Sequence, residues 1–173
     1  VVGRNYVDEY NPVRSEWIRR NPREPDFLQS VTALDPENRK IITDSPRPDS
    51  IIAYSIREDG TISSRNFVNP KGATEWNKMM AALEYDPVRK VLVAWGGGRE
   101  TAYLDVTTMT WRRFINAKSE SAPVRRRDMD YAASGAIYGR WRYVPKYDVF
   151  IGYNAPNRNV WVWKPADVAD GDD

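Results

Sequence analysis

Short apolar runs, separated by proline, glycine and aspartate, recur along the whole chain and predict strands rather than helices. The clearest run covers residues 81–114. Apolar residues lead into Asp86-Pro87, resume from Val91 to Trp95, break at Gly96-Gly97-Gly98, and return through Tyr103 and Leu104 to Trp111. An Asp-Pro step presets a tight turn. Glycines permit positive φ or a close backbone approach. β-Branched and aromatic residues fill the positions between. The stretch therefore predicts a small antiparallel sheet of three or four strands.

The same order returns elsewhere. LDPENRKIIT, YDPVRKVLVA and YVPKYDVFIG share a turn proline at positions 36, 87 and 145, with steps of 87 − 36 = 51 and 145 − 87 = 58 residues. VVGRNYVDEYNPVRSEW, at residues 1–17, also runs parallel to WGGGRETAYLDVTTMTW, at residues 95–111, with Gly3 on Gly97 and Asn11 on Asp105. A repeat near 50 residues indicates a radial or stacked array of supersecondary units. Residues 1–20 read as the second half of one unit and 21–68 as a whole one. Residues 69–134 read as another with a long connector, 135–165 as a last one lacking its outer strand, and 166–173 as an acidic tail. Within the second unit, strands are predicted over 27–34, 41–43, 50–57 and 61–68, the last two flanking a hairpin turn at Glu58-Asp59-Gly60. In the last unit they are predicted up to Tyr143 and over 149–153 and 159–163; residues 69–74, which open the unit before it, are predicted to form a loop.

An apolar run, Gly-Gly, tyrosine and then tryptophan resembles a kelch repeat, one blade of a β-propeller like that of the galactose-oxidase group. YGRWRYVP, residues 138–145, followed by an apolar strand, resembles the final blade of bacterial propellers that process polysaccharides. The resemblance implies an all-β fold, a partial β-propeller of about three kelch-like antiparallel blades. The rest would come from residues beyond this chain or from a partner chain, since propellers close with about four to eight blades. It also implies an extracellular or periplasmic location. A self-contained sandwich of about ten strands is the rival architecture.

Composition narrows the chemistry. The chain has 173 residues, 26 basic and 24 acidic, for a net charge of +2, so no general attraction to nucleic acid is expected. There is no cysteine and no histidine, which excludes disulfides, thiolate metal sites and histidine-based catalysis within this segment. Seven tryptophans and ten tyrosines suit an aromatic-rich β protein, and Trp17, Trp95, Trp111, Trp141, Trp161 and Trp163, which could stack on sugar rings, are expected to pack between blades. No apolar run approaches the length of a membrane span.

The candidate site residues are arginine and tyrosine. Strand alternation puts Trp141 and Tyr143 on one face and Tyr138, Arg140 and Arg142 on the other. Guanidinium groups beside a tyrosine suit the carboxylates or sulfates of an anionic polysaccharide. The ordinary alternative pairs both arginines with acids of neighbouring blades. A second cluster, Arg125-Arg126-Arg127-Asp128-Met129-Asp130-Tyr131, offers Arg125, Arg126 and Tyr131 to an anionic ligand, although most such runs are solvated surface. Asp128 and Asp130 are a weak calcium candidate, because calcium needs six to eight oxygens; no other cofactor is expected. Trp76, before a blade, is a candidate for ligand stacking. Gly96-Gly97-Gly98 lacks the Lys-Ser/Thr of a phosphate loop and is read as blade architecture.

Three functions follow. The first is a non-catalytic binding module for a polysaccharide or protein partner. The second is the C-terminal part of a carbohydrate-active propeller enzyme, a polysaccharide lyase or galactose-oxidase-like oxidase. A lyase would use Tyr138 as acid/base and Arg140 or Arg142 against a uronate carboxylate. The third is a structural subunit of an extracellular assembly.

Overall fold

The computed structural model describes residues 2–3, 6–11, 13–20, 31–45, 50–72, 82–96, 101–114, 139–153 and 159–165. Among them the chain is all-β, with four sheets and no α-helix. Sheet I holds β1 (Val2–Gly3), β2 (Tyr6–Asn11) and β3 (Glu16–Arg20). Sheet II holds β4 (Thr32–Asp35), β5 (Lys40–Asp44), β6 (Ile51–Ile56) and β7 (Ile62–Val68) in sequence order. Sheet III takes β8 (Lys71–Gly72), β9 (Ala82–Asp86), β10 (Val91–Trp95), β11 (Thr101–Asp105) and β12 (Thr110–Phe114) in the order β8-β12-β11-β10-β9. Sheet IV is β13 (Trp141–Val144), β14 (Val149–Gly152) and β15 (Trp161–Trp163). Three sheets are wholly antiparallel, and none closes on itself.

One hairpin is used five times. Four residues join the strand pairs Asn11↔Glu16, Asp35↔Lys40, Asp86↔Val91, Asp105↔Thr110 and Val144↔Val149. In each, the fourth loop residue has positive φ: Ser15, Arg39, Lys90, Met109 and Asp148, between 49° and 57°. Where the strand ends in aspartate, one carboxylate oxygen accepts the N–H groups two and three residues on. Asp35 holds Glu37 and Asn38 at 3.0 Å, and Asp86 holds Val88 at 2.9 Å and Arg89 at 3.0 Å. Asp105 treats Thr107 and Thr108 alike, at 2.8 and 3.1 Å. Aspartate is favoured there because its short side chain satisfies turn donors that no strand can reach.

Sheet III lies between II and IV, which explains its unbroken apolar strands: a sheet covered on both faces needs no polar alternation. Leu92, Ala94, Ala102, Leu104 and Trp111 pack with Ala33, Ile42, Ile51 and Ala53 of sheet II. Val91, Val93, Trp95 and Tyr103 pack on the opposite side with Trp141 and Phe150 of sheet IV. Each large side chain buried this way contributes about 1.5–3 kcal/mol. The edge strands β4, β9 and β13 run beside one another at one margin of the stack.

Two outcomes differ from the sequence reading. Residues 71–72, expected in a loop, form β8 and add to β12 in parallel register, Lys71↔Thr110 and Gly72↔Trp111. Gly72 makes this possible. It sits at φ +85°, and a Cβ there would lie 2.2 Å from the Trp111 carbonyl oxygen. Gly72→Ala is expected to cost about 1–3 kcal/mol and to expose the Lys71 amide, which donates to the Met109 carbonyl at 2.9 Å. Unchanged hydrogen exchange at Lys71 would contradict this. The second difference is Trp17, expected to be inter-blade packing: it is exposed, against the ring of Tyr10 at 5.2 Å between centroids.

Candidate functional site

The strands of the stack have two distinct ends. At one lie the repeated turns, and polar side chains there tie sheet to sheet. Arg89, from the β9–β10 turn, is buried with its side chain 6% exposed. It donates to Asp86 Oδ2 at 2.9 Å, to Asp148 Oδ1 and Oδ2 at 2.9 and 3.1 Å, and to the Pro165 carbonyl at 3.3 Å. The Tyr143 hydroxyl also donates to Asp148, at 2.9 Å. The Arg89 bonds, with help from Tyr143, hold the Asp148 carboxyl at a pKa of about 2, despite the opposing effect of burial. Burial, with Asp148 alongside, pushes the Tyr143 hydroxyl up to about 12. This cluster fastens sheet IV to sheet III.

A lighter version fastens sheet III to sheet II. Lys90 donates to Glu37 at 2.7 Å, and the Tyr85 hydroxyl donates to the same carboxylate at 3.3 Å. The Lys90 bond lowers the Glu37 pKa, while burial and the acids Asp35 and Glu37 push Tyr85 up to about 12. These clusters were not foreseen in the sequence. Both join residues more than 45 positions apart, at 148 − 89 = 59 and 90 − 37 = 53, and the turn repeat was the only local signal of their position.

The opposite end carries the predicted site. Strand β9 begins there, β12 ends there and β13 begins there, as the pairs Trp95↔Ala82, Thr101↔Phe114 and Trp141↔Gly152 require. Trp76, Arg125, Arg126, Asp128, Asp130, Tyr131 and Tyr138 lie outside the described residues. Arg140 and Arg142 are described. The Arg140 guanidinium lies over the Tyr153 ring, 5.4 Å from its centroid, and its carbonyl accepts the Tyr153 N–H at 3.2 Å. Arg142 is exposed and donates to Glu84 Oε2 of β9 at 2.8 Å. Burial raises the Glu84 pKa, and the charge of Arg142 opposes that rise.

The alternation expected along β13 is present: Trp141 is buried and Tyr143 partly buried against the same cluster, while Arg142 is exposed. The acid partner of Arg142 comes from a neighbouring sheet, as the ordinary reading of this arginine anticipates. Even so, most of its surface remains open to solvent, and an arginine has five donors, of which Glu84 engages few. Chemically, this margin offers planar guanidinium donors, an aromatic face at Tyr153 and a carboxylate at Glu84. It suits the binding of anions better than bond making. Among the described residues, no group of three or more acidic side chains is placed to hold a metal ion, and no helix is long and apolar enough to cross a membrane.

No protein-family model matches the chain, and no curated protein is significantly similar to it.

Proposed function

We propose that sheets II, III and IV are consecutive blades of a kelch-type β-propeller, and that the chain is a non-catalytic binding module for an anionic polysaccharide. The observation that carries the blade reading is the side-by-side run of β4, β9 and β13, each an edge strand of its sheet and each followed by the same left-handed turn. In a radial array, first strands converge in this way and sheets stack face to face. The binding reading rests on Arg140 and Arg142 at the end of β13 away from the turns, with Tyr153 beneath one guanidinium. A uronate carboxylate or a sugar sulfate matches the fork of Arg142 and would compete with Glu84 for it.

The test is titration of the chain with polygalacturonate and, as a neutral control, with a glucan, read by calorimetry. Binding of the acidic polymer alone is expected. Arg140→Glu together with Arg142→Glu should weaken it at least tenfold, and Glu84→Gln should strengthen it by releasing Arg142. Equal binding of the neutral glucan, or an unchanged affinity in the double variant, would overturn the assignment.

A further inference from the structure

The interface between stacked sheets is formed twice, and each of its two halves is left open once more. Position by position, the repeat steps carry Ile42 of sheet II onto Val93 of sheet III (42 + 51) and onto Ile151 of sheet IV (93 + 58). Cross-strand pairing puts Ala53, Tyr103 and Val162 beside them in turn. Ile42, Ala53, Val93 and Tyr103 are buried, the first pair under sheet III and the second under sheet IV. Ile151 and Val162 are 37% and 68% exposed, and Val160 extends the same open face.

The complementary half is open at the other end of the chain. Tyr10 and Trp17 are cross-strand partners in sheet I, as Leu104 and Trp111 are in sheet III, with an offset of 94 positions (104 − 10 and 111 − 17). Leu104 and Trp111 are buried against the Ile42–Ala53 face of sheet II. Tyr10 and Trp17 are 48% and 60% exposed.

We propose that a second copy of this chain docks head to tail, seating its Tyr10–Trp17 face on the Ile151–Val162 face of the first. The inference rests on the blade reading above and deepens it by naming the chain that completes the stack. A second copy is the occupant because the two open faces are the two halves of one interface already formed between II and III and between III and IV. A head-to-tail contact either closes into a ring or runs on as a filament. Two copies bring together six such blades, within the range of about four to eight in which propellers close.

The experiment is sedimentation velocity of the whole chain from about 1 to 100 µM, with Trp17→Glu and Ile151→Glu alone and mixed in equal amounts. Both side chains are exposed in the single copy, so the variants should fold as the parent does. The parent should sediment at twice the chain mass. Each variant should dissociate at least tenfold more readily, and the mixture should regain a dimer through its one intact pair of faces. A parent monomeric throughout the range overturns the proposal, as does a dimer that survives either single substitution. A double-mutant cycle between Arg89 and Asp148 reads sheet stacking inside one copy. A monomer with that coupling intact removes only the second copy, whereas loss of the coupling removes the blade reading itself.

Discussion

Arg89→Leu is expected to lower the stability of the folded chain by about 3–5 kcal/mol, the cost of stripping a buried ionic cluster of its cation. Asp86 is fully buried and Asp148 partly so, and both carboxylates would lose their main countercharge at once. Arg89→Lys should cost less, but not nothing. An ammonium cannot make the two-pronged bond to Asp148 while also reaching Asp86 and the Pro165 carbonyl. Urea denaturation would register both as falls in midpoint at constant slope. A loss below about 1 kcal/mol for the leucine variant would reduce the cluster to an ordinary surface ion pair.

The same cluster sets an acid limb. The Asp148 pKa of about 2 lies below its ordinary 3.8, so its contribution to stability is complete above pH ~4 and is lost as the pH falls toward 2. Asp148→Asn should flatten that part of the stability curve while leaving the neutral region lower throughout. An acid limb of the same depth in parent and variant would show that other carboxylates carry it.

Trp141→Ala should be of similar size, about 3–5 kcal/mol, as expected for removal of a buried tryptophan. The ring is the keystone between sheets III and IV: its centroid lies 4.8 Å from that of Trp95, 4.9 Å from that of Phe150 and 6.0 Å from that of Trp163. The packing is tight enough that a Cβ on Gly152 would lie 2.7 Å from both the Trp141 and Trp95 rings. A thermal melt should move down by roughly 10 °C, with Trp141→Phe recovering part of the loss. A melting temperature within about 2 °C of the parent would mean that sheet IV draws little stability from sheet III.

Whatever is local was legible in the sequence. The Asp-Pro steps, the alternation of Trp141, Arg142 and Tyr143 and the hairpin of residues 50–57 with 61–68 about Glu58-Asp59-Gly60 follow from turn chemistry and strand period, and both act within about ten residues. What depends on distant residues was not legible. Nothing in Lys71-Gly72 announces a parallel partner at Thr110 and Trp111; the glycine serves a contact between segments 110 − 71 = 39 positions apart. Arg89 looks like any turn arginine until Asp148 is brought to it. Trp17 and Trp111 occupy the same place in the same hairpin, yet one is exposed and the other buried, because exposure is decided by the neighbouring sheet rather than by the hairpin. For the candidate site, the sequence identified Arg140 and Arg142 by residue type. It could not supply Glu84, whose strand lies 58 positions earlier.

The five left-handed turns have a further consequence for how such a chain can diversify. Two successive repeat steps differ by seven residues, 58 − 51, yet the turn positions 39, 90 and 148 follow those steps without slippage. Between the first hairpins of sheets II, III and IV, length variation is therefore absorbed outside the hairpin. The turn end behaves as a fixed datum line, from which each strand is measured. The far end is then free to gain or lose residues without disturbing the registers, which makes it the natural place for inherited novelty and for grafting a loop of an engineer's choosing.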